Sequence, residues 1–270
     1  MSDVFFLIGA PRSGTTALAR ILGLASNAEV FIEQSPKLRF ESRALLKSEL
    51  PNSKDLLFQK KNSYIVKTLR KGKKYGDKNP CYLPFINGLF KNWDSKVLFL
   101  IRDGRDVLRS LMNWHHLYKP NIFSMKEDSD FSDLVLPEDD LWDYSRLRPN
   151  PGDKIFPFWK SMSRFQKIAW YWSNFNSFAI GLLSEIESSR WLIVNVSDIS
   201  VERIREIYDF LGLKGFAPEI IKNMLNARIN SLYDKVKKED IYPNWANWPV
   251  QQINEFEKLA GEMMIRLGYF

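Results

Sequence analysis

Five short runs of apolar and β-branched residues, each bounded by polar or turn-forming residues, constrain this chain of 270 residues more than any other feature. They are VFFLIGA at 4–10, EVFIE at 29–33, SYIVKT at 63–68, KVLFLIRD at 96–103 and WLIVNVSD at 191–198. A strand that is apolar almost without interruption must be covered on both faces, which is the condition of a parallel sheet. Helical periodicity fills the intervals, at 15–26, 37–50, 82–91, 104–117, 158–188 and 199–212. This alternation predicts the α/β class, with a parallel sheet between two layers of helices in a three-layer sandwich. With 45% hydrophobic residues the chain can bury a sizeable core, and the expectation is one domain over 1–270.

Residues 118–160 break the rhythm, mixing Pro, acidic residues and aromatics without a stable period. A connection of that length is expected to be either a functional lid or a surface insertion without a role. Its aromatics Phe123, Phe131, Trp142, Tyr144, Phe156, Phe158 and Trp159 either line an acceptor pocket or pack the insertion onto the body. After 242 a Trp-rich turn leads into an amphipathic helix expected to close the core.

Composition narrows the classes further. Thirty-nine Lys and Arg against 32 Asp and Glu leave a net charge of +7, which favours anionic ligands. No zinc-ligand spacing, basic helix or basic-aromatic repeat accompanies it, so nucleic acid is not the expected partner. His115 and His116 are adjacent and lack Cys or carboxylate at ligand spacing, so no metal is expected. The lone Cys81 excludes an intrachain disulfide, and no stretch has the length of a transmembrane segment or the pattern of a secretory leader. The expected setting is the cytoplasm.

The first apolar run ends in a loop, APRSGTT, that opens a helix. Gly9 and Gly14 have the G-x-x-x-x-G spacing of a Walker A phosphate loop, but Thr15 stands where its Lys would be. Backbone N–H groups at 12–16 and the positive end of the helix still form an oxyanion site. Thr15 and Thr16 add hydroxyl donors, and Arg12 supplies a cation from inside the loop. The plainer alternative is a strand-turn-helix corner whose Gly and Thr only form the turn and cap. The fourth run repeats the theme: KVLFLIRDGRDVLRS ends in Arg102 where an ATPase strand ends in its magnesium-holding Asp. Ser110, eight residues on, lies about two helical turns from it, so Arg102 and Ser110 make a candidate site for a second phosphate. Asp103 and Asp106 are expected to cap that helix, and Arg105 and Arg109 to be surface partners.

Together, PRSGTT and LIRDGRDVLRS resemble the sulfotransferases that use 3′-phosphoadenosine 5′-phosphosulfate (PAPS), whose fold is P-loop-like. GDKNP (76–80), VSDISVERIREIYDFLGL (196–213) and MMIRLGY (263–269) extend the resemblance, which is strongest to the bacterial and carbohydrate-type branch. It implies that Arg12, Ser13, Gly14, Thr15 and Thr16 hold the 5′-phosphosulfate, and Arg102 and Ser110 the 3′-phosphate. The spent donor, PAP, leaves after sulfonate passes to a hydroxyl or amine of a small-molecule or carbohydrate acceptor. Two departures stand out. Ala17 replaces the Trp that stacks on adenine in the cytosolic enzymes, leaving an aromatic of AWYW (169–172) as a candidate, and VKTLR (66–70) has Leu69 at the place of their catalytic His. A carboxylate base follows, for which Glu33 matches the carbohydrate branch and Glu41 is the reserve; a surface or capping role is the alternative. The resemblance puts Lys78 beside the transferring group, where with Arg12 it would stabilise developing charge. Two other functions remain open: an ATP- and magnesium-dependent phosphotransferase, and a nucleotide-binding protein without catalysis.

Overall fold

The computed structural model describes residues 2–47, 53–118, 122–123, 138–227 and 241–270. Its strands are β1 (Val4–Gly9), β2 (Ala28–Ile32), β3 (Lys74–Lys78), β4 (Ser95–Ile101) and β5 (Trp191–Asn195). Its helices are α1 (Thr15–Leu22), α2 (Arg39–Leu46), α3 (Ser53–Leu69), α4 (Ile86–Asn92), α5 (Gly104–Tyr118), α6 (Glu138–Tyr144), α7 (Arg164–Ser184), α8 (Val201–Leu211), α9 (Pro218–Asn226) and α10 (Val250–Arg266). They gather into two compact units. One is built from the described residues of Met1–Leu38, Pro51–Arg102 and Ala179–Ser231, the other from those of Arg39–Leu50, Asp103–Phe178 and Leu232–Phe270.

The first unit holds a five-stranded sheet in the order β2-β3-β1-β4-β5, with every neighbouring pair parallel. Side-chain alternation gives it two apolar faces. Phe5, Leu7, Leu98, Leu100 and Val194 form one core with α1, α8 and α9. On the other face the Phe6 ring meets Tyr82 at 5.1 Å and Trp93 at 6.0 Å, and Trp93 stacks with Phe58 of α3. The expected parallel, helix-flanked α/β sheet is thus present. Because the chain leaves β1 toward β2 and β4 toward β5, in opposite directions along the sheet, the carboxyl ends of β1 and β4 form a switch point.

One strand lies elsewhere than the sequence predicts. SYIVKT is the end of α3, where Leu57, Lys61, Ile65 and Thr68 recur at helical spacing and are buried. The third strand is KYGDK, a segment outside the five runs expected to be strands; all five residues are buried. Polar side chains can occupy a central strand only if each finds a partner. Lys74 Nζ donates to the Ser2 carbonyl at 2.6 Å and pairs with Asp3 at 3.0 Å. Asp77 pairs with Lys61 at 3.4 Å and accepts from the hydroxyls of Tyr82 and Tyr75. Burial pushes the Asp77 carboxyl up, against the downward pull of Lys61, Tyr82 and the Gln34 amide. Gly76 is required by a close approach, since a Cβ there would lie 2.4 Å from the Phe5 ring.

The second unit contains helices α2, α5, α6 and α10 and the part of α7 up to Phe178. Asp103 caps α5 as expected, accepting from the Arg105 amide at 2.8 Å. Arg105 and Arg109 do more than serve a surface. The Arg105 guanidinium chelates Asp103, lies 4.2 Å from the Trp245 ring and donates to the Tyr269 carbonyl, while Arg109 donates to the Tyr242 carbonyl. These bonds tie the Trp-rich turn and the end of α10 to α5. α10 buries Phe256, Ala260, Met263 and Met264, the amphipathic stripe expected of it. Within the 118–160 stretch, the buried Asp143 accepts from the Phe123 amide and pairs with Arg146 and Arg148. Phe123 and Trp159 pack edge to face, Tyr144 stacks on Phe40, and Phe156 and Phe158 are exposed. Phe131 lies outside the described residues. Among the described residues no helix is long and apolar enough to cross a membrane.

Gly76→Ala overpacks the Phe5 ring and is expected to destabilise the chain by about 1–3 kcal/mol. Gly152→Ala, whose Cβ would meet nothing within 4 Å, is expected to stay within about 0.5 kcal/mol of wild type. Urea unfolding of both variants checks the contrast.

Candidate functional site

All five strands point the same way, so the residues that follow them share one edge of the sheet. Three segments of the first unit carry the candidate side chains there: the loop after β1, the ends of β2 and β3, and Arg102 just beyond β4.

The loop is tightly wound. Ser13 N–H donates to the Ala10 carbonyl at 3.0 Å, Arg12 has φ 73° and Gly14 φ 78°. Gly14 is needed at its position on two counts: its backbone is left-handed, and a Cβ would meet Val196 at 3.1 Å. No side chain caps α1, so its positive end faces the loop without a local carboxylate or hydroxyl acceptor. Thr15 is buried, and Arg12 and Thr16 are half-buried. The Ser13 hydroxyl is buried at 1% exposure and has no hydrogen-bond partner. A buried hydroxyl without a partner costs stability. An oxyanion seated in the loop would supply one, so these residues fit a phosphate or sulfate group.

Arg102 reaches toward this loop. Its Nη1 donates to the Arg12 carbonyl at 3.0 Å, which joins the tip of β4 to the loop after β1 at the switch point. Ser110 is buried on α5 in the second unit, where His115 is half-buried and His116 exposed. The AWYW aromatics Trp170, Tyr171 and Trp172 are buried in that unit too, with the Trp172 ring against Gly104.

Glu33 and Lys78 meet. Lys78 Nζ donates to Glu33 Oε1 at 2.7 Å, with both side chains largely buried. Lys78 is the last residue of β3, and Asn79 caps the turn that follows, accepting from the Cys81 amide. Glu33 follows β2 with φ 58°, and its N–H donates to the Lys78 carbonyl at 2.8 Å. Backbone and side chain thus both bind it to β3. VKTLR, read against the histidine motif, is the last turn of α3 and stands at no strand end. Glu41 is on α2 in the second unit.

Among the described residues no group of three or more His, Cys, Asp or Glu is arranged to hold a metal ion. A pocket of about 310 Å³ lies within the second unit, lined by Arg105, Trp245, Trp248, Phe256 and Phe270 among others. None of the aromatics proposed from 118–160 lies on it.

Residues 4–142 match the model of a family described as the sulfotransferase family. No curated protein sequence matches the chain. Among solved structures, a sulfotransferase from Mycobacterium avium is 12% identical, with 98% of this chain and 76% of that one covered and a TM-score of 0.52. A sulfotransferase from Alicyclobacillus acidocaldarius is 13% identical, with coverage of 97% and 93% and a TM-score of 0.49. The first of these likenesses is one of fold.

The Glu33–Lys78 pair can be tested by removing either half. Lys78→Met removes the ammonium that pairs with the largely buried Glu33 carboxylate and is expected to cost about 3 kcal/mol. Glu33→Gln keeps an acceptor for the ammonium and is expected to cost less. Chemical denaturation of the two variants reads the difference.

Proposed function

The chain belongs to the sulfotransferase family, and from that premise we propose that it moves a sulfonate group from PAPS to a hydroxyl or amine of an acceptor. The observation that carries the reading is the 2.7 Å meeting of Glu33 and Lys78 on the strand edge that also bears the loop. A proton acceptor and a cation are then close together where an anion site begins.

Bound at this edge, PAPS would supply the activated sulfonate and a phosphate leaving group. The guanidinium of Arg12, the hydroxyls of Ser13, Thr15 and Thr16 and the amides at Gly14–Thr16 would hold its 5′ end. Arg102 would take the 3′-phosphate, a role the motif resemblance has it share with Ser110. The buried Ser13 hydroxyl would gain its missing partner.

Glu33 would accept the proton of the attacking hydroxyl or amine. As the acceptor–sulfur bond forms, the bond from sulfur to the phosphate oxygen breaks, and the phosphate keeps the electron pair. Lys78 couples these events. Once Glu33 is protonated its negative charge is gone, and the ammonium's field is left for the departing oxygen. Removing one donor of this kind typically lowers turnover about a hundredfold or more. Arg12 would share the task from the loop. The acceptor is expected to be a small molecule or carbohydrate and the setting the cytoplasm.

Two measurements test the reading. PAP at one hundred times its Kd is expected to stabilise the chain by about 2.7 kcal/mol in a thermal shift, with ATP and magnesium giving no comparable effect; the reverse result overturns the donor assignment. Arg102→Ala is expected to weaken PAP binding, because both the guanidinium and its bond to the loop are lost. Glu33→Gln is expected to spare PAP binding and abolish sulfonate transfer from labelled PAPS across an acceptor panel. Equal loss of binding in both variants contradicts these roles.

A further inference from the structure

Glu33 occupies a conformation that a non-glycine residue does not adopt without cause, with φ 58° immediately after β2. The next residue shows what holds it. Gln34 N–H donates to Asp77 Oδ1 at 3.2 Å, and the Gln34 carbonyl accepts from Lys61 Nζ. Lys61 and Asp77 are themselves an ion pair at 3.4 Å, each at 0% side-chain exposure. Both backbone groups of residue 34 are thus bonded by the two halves of one buried pair. Asp77 is fixed in turn by the Tyr82 hydroxyl at 2.5 Å and the Tyr75 hydroxyl at 3.3 Å.

β3 therefore reaches the Glu33 turn from two sides. Consecutive strand residues face opposite ways, so Lys78 and Asp77 lie on different faces of the sheet. Lys78 bonds the Glu33 carboxylate and, through its own carbonyl, the Glu33 amide. Asp77, on the other face, bonds the following amide and recruits Lys61 from α3 for the following carbonyl. Three hydrogen bonds to the backbone groups of two consecutive residues leave the turn little freedom.

We propose that Lys61 and Asp77 are positioning residues for the Glu33 carboxylate, a buried ion pair clamping the Gln34 peptide so that Glu33 is presented to Lys78 and to the acceptor. The importance of this clamp for turnover rests on the reading of Glu33 as the base. The clamp itself rests on the geometry alone. None of the bonds that make the clamp involves the loop after β1 or Arg102, so nucleotide affinity is not expected to depend on it.

The test uses the full chain with Lys61→Met and Lys61→Arg, read by amide hydrogen exchange, by PAP binding and by sulfonate transfer from labelled PAPS. In Lys61→Met the amides of Glu33 and Gln34 are expected to exchange about tenfold faster relative to those of Phe6 and Leu7 in β1. PAP affinity is expected to hold while transfer falls, and Lys61→Arg is expected to restore both exchange and transfer. Unchanged exchange at 33 and 34, or an equal rise throughout β1 and β3, overturns the proposal, the second result marking a purely structural ion pair. Should Lys61→Met not fold, Asp77→Asn, which keeps the shape of the side chain, is read by the same exchange ratio. Transfer that survives in Glu33→Gln removes the base assignment, and the exchange ratio still decides whether the pair holds the turn.

Discussion

A strand with two lysines and an aspartate, buried throughout between two other strands, is the constraint on which the first unit depends. Charges in that position are tolerated only when each is paired, because stripping them of water costs more than packing returns. The partners of β3 are therefore obligatory, and they come from distant parts of the chain: Ser2 and Asp3 at the start, Glu33 and Gln34 after β2, and Lys61 in the middle of α3. The polar strand fixes where β2 ends and how α3 lies. It also brings Lys78 to the edge where the loop after β1 opens.

The same strand explains where sequence reading succeeds and where it misses. β1, β4 and β5 are apolar at nearly every position, so their strand character is written locally and their places agree with expectation. KYGDK has the composition of a loop. Its burial is settled by residues up to 72 positions away in sequence, and no local pattern carries that information. SYIVKT errs in the opposite sense. Its β-branched residues suit a strand, but the decisive signal is the four- and three-residue spacing of Leu57, Lys61, Ile65 and Thr68, which is hidden because one member of the buried stripe is a lysine.

A similar division runs through the candidate site. The loop from Arg12 to Thr16 and Arg102 belong to short, contiguous motifs, and both stand where the sequence puts them, directly after β1 and β4. Glu33 and Lys78 could be named only by resemblance, because nothing local couples residues 45 positions apart. The clamp beneath them left no trace in the sequence, since Lys61 falls just before the SYIVKT run and is buried only once α3 forms. Arg105 and Arg109 show the reverse hazard. Helix spacing assigns them to the surface, but the Trp-rich turn supplies carbonyls and a ring that only the folded second unit brings to them.

On the proposed reading, charge balance at the edge suits a modestly charged transferring group. Glu33 and Lys78 cancel, so the pair contributes little net field until a proton arrives, and Arg12 is the cation that belongs to the loop itself. A triphosphate tail concentrates several charges at one place, on the same strand edge as the Glu33 carboxylate. A phosphosulfate carries less charge at its reacting end, and its second phosphate is remote, across the nucleoside. Arg102, separated from the loop cation by one hydrogen bond through the Arg12 carbonyl, places positive charge on the β4 side rather than beside Glu33. On the proposed reading the edge would divide its cations between two tasks: Arg102 toward the β4 side for holding the nucleotide, and Lys78 beside the carboxylate, where its charge would become available only as the acceptor's proton is taken.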